Sequence, residues 1–144
     1  MWKVLAERGI PVRGPEPGAL GLDPEPGVLR DWNLANLDGY WQPWASAAQA
    51  GRGPWWRDSR WVVAWGTLGA TRLHCTVATG EVVSKEAAGE YALATFGGDW
   101  RPLIEEALAY RREQPSLGQL PDRAGRRRIT GAFVQEVVRS AHAL

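Results

Sequence analysis

The sequence predicts an α+β fold, a small and mainly antiparallel sheet of about three to five strands packed against helices. Three observations carry this. Residues 61–65 and 72–77 are short runs of bulky or alternating apolar side chains, the strand pattern. Ala78-Thr79-Gly80 then offers a hairpin turn ahead of Val82-Val83. An amphipathic helical pattern over residues 100–111 follows closely. At 144 residues the chain fits one domain, 1–144, large enough to bury a core without disulfides or structural metals. It divides into a Pro/Gly-rich arm (10–27), a sheet-helix core (61–113) and a carboxy-terminal helix (130–143).

Taken in order, residues 1–9 read as a short helix with Trp2, Leu5 and Ala6 on one side and Gly9 ending it. Pro and Gly crowd residues 10–27, and because Pro fixes φ and removes a donor, this arm is expected as a loop over the surface. Leu29, Trp32, Leu34 and Leu37 have partial helical spacing, which Asn33, Asn36, Asp38 and Gly39 break toward a turn. Alanines 45, 47, 48 and 50 favour a short helix after Pro43. In the first strand Trp61, Val63 and Trp65 alternate with Val62 and Ala64, so both faces are apolar and the strand is expected at the centre of the sheet. In the second, Leu73, Cys75 and Val77 point one way and Arg72, His74 and Thr76 the other. Tyr91, Leu93 and Thr95 continue the alternation. Asp99 is a good helix N-cap, with Pro102 harmless in the first turn and Gln114-Pro115 as the stop. A polar linker over 115–128 leads to the last helix, whose apolar stripe is Phe133, Val134, Val137, Val138 and Ala141.

The formal net charge is only +1, which gives no electrostatic reason to expect nucleic acid or an anionic membrane as the partner. One cysteine excludes an internal disulfide. No segment approaches the roughly 20 apolar residues of a membrane span, and the amino terminus lacks a signal-peptide pattern, so a cytoplasmic location is expected.

Few residues point to chemistry. His74 and Cys75 are neighbours, which on a strand face apart and cannot form a catalytic pair. Cys75 shares a face with Leu73 and Val77, which implies burial. With His142 the only other histidine, no metal-ligand spacing is present, and neither metal nor cofactor is expected. Glu105 and Glu106 read as a solvated face of their helix. Gly97-Gly98 before a helix has the look of a phosphate loop, but the Lys-bearing motif is missing and Asp99 would repel an anion. Arg126, Arg127 and Arg128 read as a solvated run. No catalytic residue is expected.

Residues 61–113 resemble the SUKH superfamily, small α+β domains found widely among bacterial immunity proteins. The resemblance lies in the bulky strand from Trp61 to Trp65, the turn Thr79-Gly80-Glu81-Val82, the strand after it, and a helix carrying Leu103, Ala107 and Tyr110 with Trp100 at its start. It implies a non-catalytic protein that neutralises a cognate bacterial toxin by direct contact. The alternative is a constitutive adaptor or subunit of a larger protein assembly. Nine Trp residues, six of them within 41–65, supply the anchors such contacts need. Trp41, Trp44, Trp55, Trp56 and Arg57, in loop-like sequence, are the expected partner-binding residues.

Overall fold

The computed structural model describes residues 2–22, 25–52 and 59–144. Among them there is no strand, and the expected α+β sheet is replaced by an all-helical fold. Helix α1 spans Trp2–Arg8, a 3₁₀ turn spans Pro17–Leu20, and α2 spans Pro26–Asn36. A π-helical turn, Leu37–Trp41, runs on into α3, Gln42–Gln49. The long helices follow: α4 (Arg60–Thr79), α5 (Lys85–Arg111) and α6 (Arg123–His142).

The first two expected strands both lie within α4. The apolar alternation was misleading because α4 is covered on nearly every side: Val62, Val63, Ala64, Leu68, Ala70, Cys75 and Val77 are all buried. A helix buried all round carries apolar residues in every register, and short windows of it imitate a strand. Three of its four threonines, strand formers by propensity, bond back along the helix: the hydroxyls of Thr71 and Thr79 donate to the carbonyls of Thr67 and Cys75, four residues back, and that of Thr76 is shared between the carbonyls of Arg72 and Glu81. The expected hairpin turn is the end of this helix. Gly80 takes the left-handed conformation (φ 75°) and its N–H bonds the Thr76 carbonyl, a C-cap that favours glycine.

The third expected strand is equally helical. Ser84 caps α5, its hydroxyl accepting from the Ala87 N–H at 3.1 Å, and Tyr91, Leu93 and Thr95 all follow within the helix. Gly97 and Gly98 leave helical geometry, with φ/ψ of −23°/−120° and 45°/−127°. The helix restarts at the position the sequence assigned to Asp99, with Pro102 in the new first turn. The last helix begins at Arg123 instead of 130, because Asp122 caps it by accepting from the Gly125 N–H, so the arginine run lies inside α6. Of the Pro/Gly-rich arm, residues 10–22 and 25–27 are described; they hold the 3₁₀ turn and the first residues of α2.

Helix α4 lies at the centre, packed against α2, α5 and α6, while α3 packs on α6. Leu37, Leu68, Leu103, Ile104, Phe133, Val134 and Val137 close the core between them. Two glycines on one face of α4 let large rings approach its backbone. A Cβ on Gly69 would lie 2.6 Å from Cη2 of Trp41, and one on Gly66 would meet Thr130 Cγ2 at 2.7 Å and Trp44 Cη2 at 3.2 Å.

The expected effect of Gly69→Ala follows. A methyl group here improves helix propensity by up to about 1 kcal/mol, but overpacking against a buried indole costs about 1–3 kcal/mol. Urea unfolding is expected to show a net loss of about 1 kcal/mol or more. Gly39→Ala, where nothing lies within 4 Å, is expected to be neutral or stabilising.

Candidate functional site

Helical spacing on α4 places Trp65, Gly69, Arg72, Leu73 and Thr76 on one stripe. Opposite them, α2 and the π-turn present Val28, Trp32, Asn36 and Tyr40, successive members of a four-residue ridge. A cleft of about 1110 Å³ runs between the two stripes. That is somewhat above the usual range for small-molecule sites, roughly 300–1,000 Å³.

The apolar part of the cleft is aromatic. Trp65 is the hub: its ring centroid lies 4.6 Å from that of Trp41, 5.1 Å from Trp44 and 6.1 Å from Tyr40, and Trp61 stacks on it at 5.6 Å. Trp41 is buried and Trp44 half-buried, whereas Trp32, Tyr40 and Trp61 keep 61%, 53% and 49% of their surface in solvent.

The polar part of the cleft is basic. Lys3, Arg72 and Lys85 line it, and Glu25 is the one carboxylate among the described lining residues. The Arg72 Nε donates to the Val83 carbonyl at 2.9 Å, and the Thr76 hydroxyl lies 2.9 Å from the Glu81 carbonyl. These two bonds clamp the 80–84 turn onto α4 and so fix where α5 begins. Lys85 is the first residue of α5. A cation beside the positive end of a helix dipole is locally unfavourable, so an anion bound there would relieve it. Lys3 is paired with Glu7, whose side-chain bond is the main cause of its raised pKa. Arg72 and Lys85 form no ion pair with any described carboxylate.

Of the sequence-predicted partner-binding residues, Trp41 and Trp44 lie in helical structure around this cluster instead of in loops. Trp55, Trp56 and Arg57 lie outside the described residues. His74 and Cys75 are both buried in α4, with no strand to turn them apart. The His74 Nδ1 lies 2.9 Å from the Tyr91 hydroxyl and Nε2 lies 3.0 Å from Ser140, so the ring joins α4, α5 and α6. His142 pairs with Asp38 at the surface. Glu105 and Glu106 do not share a solvated face, since successive helical residues point about 100° apart. Glu106 is buried, taking Arg60 Nε at 2.5 Å, the Leu117 N–H at 2.8 Å and the Ser116 hydroxyl at 3.1 Å. Burial raises its pKa, but these donors more than offset that and hold the carboxyl below its ordinary range. Arg127 is buried and donates to the Arg52 carbonyl, so only part of the arginine run is solvated.

The sequence reading missed Trp32, Tyr40, Arg72 and Lys85 as site residues. A signal existed for the last two: once 60–79 is read as one helix, Arg72 falls on the Trp65/Gly69 stripe, and Ser84-Lys85 becomes a capped helix start. Among the described residues, no group of three or more His, Cys, Asp or Glu is placed to hold a metal ion. No described helix is long and apolar enough to cross a membrane.

Helical walls, a ligand-sized cleft and a basic aromatic lining characterise an all-helical domain. The sequence model of the aminoglycoside adenylyltransferase C-terminal domain matches residues 44–124, more than half of the chain, and the chain belongs to that family. No curated protein and no solved structure matches it. The match overturns the SUKH resemblance. The segment 79–82, which resembled a hairpin turn, joins two helices of an enzyme family's C-terminal domain. The toxin-neutralising role was implied by that resemblance alone and has lost its source.

His74 gives the domain a testable pH dependence. Burial lowers its pKa below the ordinary 6.5, so the folded state favours the neutral ring. The resulting stability is fully present above about pH 6.5 and is lost as pH falls through the lower folded value. Urea unfolding followed from pH 7.5 to 5 is expected to show falling stability in wild type and a flatter profile in His74→Gln. Parallel profiles would contradict the assignment.

Proposed function

We propose that this chain is a non-catalytic ligand-holding unit of an adenylyl-transfer system, and that it binds the nucleoside triphosphate donor in the α2/α4 cleft. The family name brings two kinds of ligand: the adenylyl donor, an anion with a flat base, and the aminoglycoside, a polycation. Among the described residues, a lining of three cations and one carboxylate favours the former. The observation that carries the reading is the pair Arg72 and Lys85, without ion-pair partners among the described residues, at the start of α5 in an aromatic cleft.

In-line transfer of an adenylyl group generally uses divalent metal held by carboxylates. The described residues do not fit that requirement, because no suitable cluster of ligands is present among them. In this proposal the chemistry belongs to another polypeptide segment, and this chain acts as its binding partner. The adaptor reading of the sequence takes that form in this proposal, with the exposed edge of Trp61 and Tyr40 available for the catalytic partner to cover.

The test is calorimetric titration with ATP and, separately, with an aminoglycoside. Charge-assisted bonds to phosphate are worth about 1.5–3 kcal/mol each, so Arg72→Gln and Lys85→Gln are each expected to weaken ATP binding about tenfold or more, with unchanged far-UV circular dichroism. Raising the salt concentration is expected to weaken it further. Tighter binding of the aminoglycoside than of ATP, or indifference to both substitutions, would overturn the proposal.

A further inference from the structure

The family match covers one wall of the cleft and not the other. The α4 wall, with Trp65, Arg72 and Thr76, and the start of α5 with Lys85 lie inside the family-matched residues 44–124. The α2 wall, with Val28, Trp32, Asn36 and Tyr40, lies outside them. Trp32 is also in an unusual state. Trp41, Trp44, Trp61 and Trp65 engage one another ring to ring, whereas Trp32 has no ring partner among the described residues. It holds 61% of its surface in solvent at the edge of a ligand-sized cleft. A large amphipathic ring left bare on a cleft wall, facing a basic wall, is the arrangement that takes a planar ring carrying an anionic tail. Asn36, one turn further along the same ridge, brings a side-chain amide able to donate and accept at a ring edge. The neighbouring Asn33 amide is already used, donating to the Leu29 carbonyl at 2.7 Å.

We infer that the α2 wall is a base-stacking shelf: Trp32 stacks on the ring of the bound nucleotide, while Arg72 and Lys85 hold its phosphates. The inference rests on the proposed function and divides the ligand between the two walls. Trp32 acts on the ring alone, so its contribution vanishes for a ligand that is only phosphate.

The experiment compares ATP with inorganic tripolyphosphate on wild type, Trp32→Ala, Trp32→Phe and Lys85→Gln by calorimetry. Base–aromatic stacking is worth about 1–3 kcal/mol per base, equivalent to about a 5- to 150-fold change in affinity. Trp32→Ala is therefore expected to weaken ATP at least about fivefold and leave tripolyphosphate within about twofold. Trp32→Phe is expected to recover most of the ATP affinity, and Lys85→Gln to weaken both ligands. Equal weakening of both ligands by Trp32→Ala, or no effect on ATP, would overturn the shelf while leaving the phosphate-binding reading standing. Failure of wild type to bind either ligand would remove the proposed function itself, and the shelf with it.

Discussion

The contact between the bare backbone of α4 and the Trp41 indole is the constraint on which the rest depends. Gly69 has no side chain where that ring lies, and Gly66, one turn earlier, admits Trp44 and Thr130 in the same way. The π-turn Leu37–Trp41 can therefore seat its last residue against α4 and carry α3 onto α6. The same seating decides how far α2 stands from α4. Trp41 packs on Gly69 and Trp65 of α4 and lines the cleft beside them. A side chain at Gly69 would move the ring, and the ring's position is shared by core and cleft.

The cleft joins two kinds of physical work. Its aromatic portion is built from rings that mostly support one another, with Trp65 at their centre. Its basic portion is positioned by backbone-directed bonds: Arg72 and Thr76 hold the 80–84 turn, and the turn sets Lys85 at the head of α5. Elsewhere, buried polar groups tie the helices together. Glu106 ties α5 to the segment after it through Leu117 and Ser116, and Arg60 reaches it from α4 while its guanidinium lies 5.5 Å from the Tyr110 ring centroid. None of these groups needs to ionise differently for the domain to hold a ligand.

What the sequence revealed follows from amphipathicity. The amino-terminal helix, the helix after Pro43, the helical restart at Asp99 and the stripe from Phe133 to Ala141 each have one wet face, and each was legible. Helix α4 was not, because its apolar residues extend well beyond one face and the stripe left partly open carries Trp61, Trp65 and Leu73; length without interruption was the remaining signal, and the strand propensity of Trp, Val and Thr outweighed it. That error propagated to the site. Read as strand and turn, Arg72 and Lys85 had no common surface, and Gly66 and Gly69 looked like a connection instead of a packing face. The Trp-rich character drew attention to Trp41, which lines the cleft, and to Trp44, which packs against it, but it could not separate rings that fill a core from those, such as Trp32, that stay exposed. The family match corrects the same segment that the strand reading mistook, because its residues span α4 and α5.

Nuclear magnetic resonance titration of the isotopically labelled chain with ATP tests the cleft assignment most directly. Binding between α2 and α4 would shift the indole resonances of Trp32 and Trp65 together with the backbone amides of Arg72 and of residues 84–88. Saturating shifts confined to the other side of the molecule, around Asp38, Gln135 and His142, or no shifts at all, would contradict it.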